Sequence, residues 1–280
     1  MKTKMFIFAI AMGAIFASCN KNEVKEDNFR IETSDRFENL YSQINTLNAS
    51  YVSEYPIEGK QKCKFWKRIK LIALCDLTGA IVGGSVAGGA GAIGGAILLS
   101  LGGAIGPLPN VEYTTAYNSN EVGQYTLETY DVGSIHNTLI LEILEENPDL
   151  YEQNFDFTHL TNLVEAKMLQ HGLDFSREQI GDVLNQTTSM RIIEDVLTAN
   201  DENQAINRLV SRYPNLKSEF QVVNLYLEQI KTISNEEVAI NYTNDVIKII
   251  EESAVPVEAK KQINSGIAVF ANSTLLWNDN

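Results

Sequence analysis

Residues 77–106 read LTGAIVGGSVAGGAGAIGGAILLSLGGAIG, a run of 30 residues without a charge, of which 11 are glycine. Gly79, Gly83, Gly91 and Gly95 fall on a spacing of four, with Ala87 in the gap. Gly84 and Gly88 form a second row that Ala92 and Ala96 continue. That period returns to one face of a helix, so the rows draw a strip of small residues along which another helix approaches closely. Glycine in a helix interior costs ~1 kcal/mol relative to alanine. Eleven of them cost on the order of 10 kcal/mol, comparable with the net stability of a whole domain. A lone helix in water is therefore disfavoured, and the segment needs close protein packing, a bilayer or self-association. Thirty helical residues reach ~45 Å, against a hydrocarbon core of ~30 Å. One tilted or broken helix is long enough to span; a hairpin of two half-length helices is not, and belongs in a protein core or between subunits. Three architectures stay open: a helical hairpin packed in the body or on a second copy, a membrane-inserted helix, and a flexible low-complexity stretch.

Before this run, Lys60, Lys62, Lys64, Lys67, Arg68 and Lys70 place six positive charges in 11 residues, with Phe65 and Trp66 among them. Such a cluster fits anionic headgroups as well as a solvated helix face. Further upstream, Ser34 to Asn48 has a capping serine and an apolar face of Phe37, Leu40, Ile44 and Leu47, which predicts a short amphipathic helix. Pro107 and Pro109 close the glycine run. The stretch that follows is polar and holds Tyr113, Tyr117, Tyr125 and Tyr130, so it reads as a loop or weak hairpin.

From Ser134 the pattern turns helical. A polar cap followed by Glu or Gln three residues later recurs at Ser176 with Gln179, Asp201 with Gln204 and Ser234 with Glu237. Pro256 stands where a first helical residue belongs. Six to eight helices are expected between 134 and 277, with Leu209, Val210, Leu216, Phe220, Val223, Leu227 and Ile230 in the core. Helix lengths do not repeat, which speaks against a solenoid. The expected fold is mainly α: a C-terminal helical bundle over 134–280, preceded by an N-terminal helix with the basic and glycine-rich segment over 34–109 and a Tyr-rich linker loop over 110–133.

The first residues supply an address. Lys2 and Lys4 precede an apolar run from Met5 to Phe16, and the small residues Ala17 and Ser18 lead into Cys19. Positive end, apolar stretch and small residues describe an export signal over residues 1–18. Phe16-Ala17-Ser18-Cys19 resembles the lipobox of bacterial lipoproteins, with Phe where Leu is commoner. The resemblance implies that Cys19 is diacylated on sulfur, becomes the new N-terminus and is acylated again on its amine. Several acyl chains anchor firmly where one alone is marginal. Residues 19–33 are polar and charged and read as a disordered tether. Lys25-Glu26-Asp27 resembles the surface-export signal of Bacteroidota lipoproteins, although it lies further from the cysteine than usual. Asn20, rather than Asp, follows the cysteine, which by analogy with enterobacterial lipoprotein sorting argues weakly against inner-membrane retention. The implied location is the cell envelope, in the outer membrane, with display on the outer face in view.

The glycine rows are similar to glycine zippers of bacterial outer-membrane lipoproteins and membrane-active peptides. The leader, the glycine segment, Gly133-Ser134-Ile135-His136-Asn137 and the terminal Trp277 together resemble an uncharacterised Bacteroidota lipoprotein family. That resemblance implies an address and a shape but no mechanism.

Composition narrows the chemistry. The formal charge of the 280-residue chain is −14; loss of Lys2 and Lys4 with the leader takes it to −16, which argues against nucleic acid as a general partner. Cys63 and Cys75 either pair, as an exported protein allows, or lie on one helix about 18 Å apart and stay free. No His-x-x-x-His, Cys-x-x-Cys, Gly-x-Ser-x-Gly or phosphate loop occurs, so neither a metal nor a cofactor is expected. Of the three histidines, His159 and His171 flank a helix. His136 with Asn137 is the one polar pair that offers a ligand contact or an imidazole oriented by an amide, against the bland alternative of a helix-start histidine bonded to the backbone.

The leading expectation is a non-enzymatic, lipid-anchored envelope protein of structural or interaction type. Its contacts would be the membrane through Cys19 and a second copy or an envelope protein. The alternatives are a membrane-active toxin or pore former, and a hydrolase with its site near His136.

Overall fold

A computed structural model of the chain describes residues 34–55, 66–105, 132–151, 156–174, 178, 180–181, 184–233 and 235–276. The expected leader and tether, Lys60 to Phe65, the Tyr-rich stretch, Ser176 with Gln179, and Trp277 lie outside the described residues. What is described is almost wholly helical, and no strand occurs among these residues. The helices are α1 (residues 34–54), α2 (Trp66–Ile105), α3 (Val132–Glu146), α4 (Phe157–Gln170), α5 (Gln186–Leu197), α6 (Glu202–Arg212), α7 (Lys217–Ile230), α8 (Glu236–Glu252) and α9 (Val257–Leu276).

The glycine segment is a hairpin. α2 breaks at Ala87 (φ −133°, ψ 22°) and Gly88 (φ 59°, ψ −143°), the latter in a region that only glycine occupies without strain. Two antiparallel arms result. Gly79 faces Gly95 and Gly83 faces Gly91, with backbones so close that a Cβ on Gly79 would fall 2.2 Å from the Gly95 carbonyl oxygen. The arms, Ile72 to Gly83 and Gly91 to Ala104, are buried on all sides. α9 lies along them over the greatest length, and α3, α4 and α5 cover the rest. By length and composition Ile72–Ala104 is apolar enough to cross a membrane, with mean hydropathy 1.6. A helix apolar all round is either a membrane span or the centre of a large core, and here it is the core. Folded back, the charge-free part of the first arm, from Leu77 to the turn, is only about 15 Å long.

The outer helices follow their own patterns. α1 turns Phe37, Leu40 and Ile44 into the core and continues past Asn48 to bury Tyr51 as well. It is tied to α7 and α8 by Tyr41 Oη donating to Gln221 Oε1 (2.9 Å), Asn48 Nδ2 to the Leu225 carbonyl (3.1 Å) and Tyr51 Oη to Asp245 Oδ2 (2.7 Å). Leu209, Leu216, Phe220, Val223, Leu227 and Ile230 are buried and Val210 packs against them partly buried. An aromatic column joins the layers: Tyr226 stacks on Tyr242 with centroids 5.7 Å apart, while Tyr51 and Phe270 meet it edge-on.

Two helix starts differ by one residue from expectation. α8 begins at Glu236 with Asn235 as its cap, accepting from Val238 N at 3.0 Å, because an Asn side chain one step on reaches the same orphan donors. Pro256 precedes the first residue of α9 and its carbonyl accepts the first helical bond, from Lys260 N at 3.0 Å. Asp201 caps α6 as its pattern predicts, accepting from Gln204 N at 2.8 Å. The reciprocal Gln204 Oε1 reaches Asn200 N instead of the cap's own amide.

Candidate functional site

The apolar hairpin carries one ionisable side chain along its buried length that a soluble core does not ordinarily accept: Asp76, on the first arm, fully buried. It sits just before the charge-free run. The antiparallel register brings Ser100 of the second arm to its level, and both Ser100 and Ser273 of α9 hydrogen-bond its carboxyl. From α3 comes His136, fully buried, with Nε2 3.9 Å from Asp76 Oδ2, beyond hydrogen-bonding distance.

α3 meets α9 through the Gly-x-x-His-Asn run. A Cβ on Gly133 would lie 2.3 Å from Asn272 Nδ2 and 2.5 Å from the Ala268 carbonyl, so glycine lets the two backbones touch. One turn on, Asn137 Nδ2 donates to the Asn272 carbonyl (2.8 Å), which turns its Oδ1 toward His136 Nδ1 (3.0 Å). An amide oxygen only accepts, so Nδ1 carries the imidazole proton and Nε2 presents its lone pair toward Asp76. Neither Nε2 nor Asp76 Oδ1 has a hydrogen-bond partner.

Burial governs both ionisations. It raises the Asp76 carboxyl well above its ordinary range, against the pull of the Ser273 and Ser100 hydroxyls. It lowers His136 to about 4, against the bond to Asn137. Each shift favours the uncharged form, as expected when desolvation exceeds a weak Coulomb gain at 3.9 Å. Carboxyl, imidazole and hydroxyl are all present, but the order is wrong for nucleophilic catalysis. Ser273 bonds the carboxyl and not the imidazole, and no surface of His136 is open to a substrate. What the cluster does chemically is tie four helical segments, namely both hairpin arms, α3 and α9, into one register.

The sequence-predicted residues thus separate into two places. Gly79, Gly83, Gly91 and Gly95 meet one another inside the hairpin, and His136 with Asn137 join the polar cluster at its open end. Cys75 is a free, buried thiol whose Sγ lies near Gly103 of the opposite arm; Cys63 lies outside the described residues. His159 is exposed on α4, and His171 Nε2 lies 2.8 Å from Glu142 Oε2 at the surface. The members that sequence reasoning passed over are Asp76, Ser100, Asn272 and Ser273. A lone acid next to a charge-free run was the one available signal. Among the described residues no group of three or more His, Cys, Asp or Glu is arranged to hold a metal.

No protein-family model, curated protein or solved structure matches the chain.

Proposed function

We propose that the mature protein is a lipid-anchored, non-enzymatic protein of the bacterial cell envelope, held in the outer membrane by acyl chains on Cys19 and working through contact with another envelope component. The observation that carries this reading is the inward fold of the glycine hairpin. Among the described residues, the one segment apolar enough by length and composition to cross a bilayer faces itself, Gly79 on Gly95 and Gly83 on Gly91, under a cover of α3, α4, α5 and α9. Attachment is then left to the lipid. The same contacts occupy the glycine rows, so a second copy or partner docks on another surface. The burial of His136 supports the non-enzymatic reading over a hydrolase.

Intact-mass analysis of the finished protein tests the address. The expected product lacks residues 1–18 and carries acyl chains on Cys19, and Cys19→Ala leaves a soluble or leader-bearing species. A lipid-free wild-type product overturns the proposal. Envelope cross-linking tests the interaction arm, which a strictly solitary monomer contradicts.

A membrane-active antagonist is the second reading, and one observation favours it. The hairpin turn is uncharged and exposed at Val86, Gly88 and Gly89. It lies at the end where α1 begins, since Phe37 lines the same cavity as Val82 and Val86. The roughly 14 residues between Cys19 and Ser34 extend to at most about 50 Å, which puts that end within reach of an anchoring membrane. Dye release from liposomes by the full mature chain, lost in Gly83→Leu with Gly91→Leu, supports it; no leakage at any concentration removes it.

A further inference from the structure

The second row of small residues on the hairpin is roofed from outside. Ala80 of the first arm and Ala92 and Ala96 of the second, on the same spacing of four as Gly84 and Gly88, form a small buried cluster with Val269 of α9. Val132, the first residue of α3, packs on that cluster, and Gly133 seats the same turn against the α9 backbone. His136, on the next turn, is fully buried, with Nδ1 at Asn137 Oδ1 and Nε2 unpartnered 3.9 Å from Asp76. The groups around it are Asp76 with Cys75 beside it on the first arm, Ser100 on the second, and Asn272 and Ser273 on α9. Burial holds the Asp76 carboxyl and the Cys75 thiol toward their neutral forms. An imidazolium formed here therefore meets no full counter-charge in a site closed to water, an arrangement that costs several kcal/mol in general. The far end of α3 behaves differently. There Glu142 and Glu146 meet Lys167 of α4 at 3.4 and 2.7 Å, and Glu142 also meets His171 at 2.8 Å. The Glu142 carboxyl is held below its ordinary value, by His171 first, so a protonated His171 tightens this end in acid.

We propose that the first two turns of α3 are an acid-released cover over the hairpin, with His136 as the latch. Protonation of the imidazole drives it out of the buried site toward water. Val132 and Gly133 leave with it, and the small-residue cluster of Ala80, Ala92 and Ala96 is uncovered. The C-terminal half of α3 stays docked on α4 through Glu142 and Glu146, so the release is local and the rest of the bundle holds. The geometry sets this polarity: the unpaired imidazole sits at one end of α3 and the ion pairs at the other. The folded imidazole value of about 4, against ~6.5 unfolded, sets the range. Above pH ~6.5 the cover is fully latched, and the latch weakens as pH falls toward about 4. The device is independent of the proposed envelope function.

Hydrogen-exchange mass spectrometry of the purified full-length chain at pH 7 and pH 4, with exchange times corrected for the intrinsic pH dependence of exchange, tests this. Peptides over residues 132–140 are expected to lose protection on the order of a hundredfold relative to peptides over 217–230, the ratio set by the folded and unfolded imidazole values. In His136→Gln, whose side chain does not titrate, that relative loss should shrink at least tenfold. An NMR titration of the His136 Cε1–Hε1 signal in the wild-type chain needs no variant, and it keeps the test alive should His136→Gln misfold. The imidazole is expected to stay neutral well below its ordinary range and to titrate together with the loss of α3 protection. Equal loss of protection in all helices, a full acid response in His136→Gln, or an imidazole that titrates at its ordinary value while α3 stays protected overturns the proposal.

Discussion

Gly83 and Gly91 oppose each other so closely that a Cβ on Gly83 would fall 2.1 Å from the Gly91 carbonyl oxygen, and one on Gly91 would fall 2.3 Å from that of Gly83. Both neighbours are backbone, so nothing flexible is there to give way. Gly83→Ala is therefore expected to force the arms apart and destabilise the fold by about 3 kcal/mol or more, at or beyond the upper end of ordinary overpacking. Gly89→Ala, with open space around its Cβ and no positive φ, is expected to be neutral or to gain up to ~1 kcal/mol from helix propensity. Urea denaturation of both variants checks the contrast, and similar midpoints for the two would contradict the hairpin contact.

The His136 imidazole makes stability depend on acid. Its folded value of about 4 lies below the ~6.5 of an unfolded histidine. Its contribution is therefore complete above pH ~6.5 and is lost as pH falls toward about 4, on the order of 3 kcal/mol in all. Asp76 works in the opposite sense, because its value is raised: its contribution is complete below the unfolded carboxyl value of ~3.9 and is lost as pH rises through the folded value. The two partly offset. Denaturant midpoints measured from pH 8 to pH 4 should fall less with acid in His136→Gln than in wild type. Asp76→Asn should be at least as stable as wild type at pH 8. An unchanged acid slope in His136→Gln removes the histidine assignment.

Asn137 holds the α3–α9 contact with one amide, donating to Asn272 O and facing His136 Nδ1. Asn137→Ala leaves a buried carbonyl and a buried imidazole nitrogen unpaired, an expected loss of about 2–4 kcal/mol. Asn137→Asp is expected to be no better, since a carboxylate cannot donate to the Asn272 carbonyl. Thermal unfolding of the pair decides this; an Asp variant at wild-type stability would mean that the donor is dispensable.

Cys75 is fully buried, and burial pushes its thiol well above its usual range, with the neighbouring Asp76 adding to the effect. A thiolate is the reacting species, so alkylation at this position should be undetectable in the native protein and complete in denaturant. Peptide mass mapping reads it, and native labelling of Cys75 would show that the hairpin opens on the labelling timescale.

Asp201 supplies a separate, local check. Its Oδ1 accepts from Gln204 N at the start of α6, and Asp201→Ala is expected to cost about 1 kcal/mol. Asp201→Asn, which retains the acceptor, should cost much less.

The helices and caps were legible because their signals are local. A capping Asp is four residues or fewer from the amide it serves, and the apolar faces of α1 and α7 repeat within a few turns. The glycine strip was legible for the same reason, since its period sits within 20 residues. The turn was not. Gly88 is one of many glycines, and only the choice of which rows pair makes it the residue at positive φ. Asp76 was passed over because its hydrogen-bond partner Ser273 lies 197 positions away.

By itself the sequence determined a helical chain and a strip of small residues capable of close approach. Periodicity, capping and residue size are properties of neighbours along the chain, which is why they could be read there. Only the tertiary structure decided that the strip closes on itself and that α9 sheathes it. It alone brings the carboxyl of Asp76 and the imidazole of His136 to 3.9 Å in a site without water access. Those outcomes depend on burial summed over segments far apart in the chain, and no local pattern carries that sum.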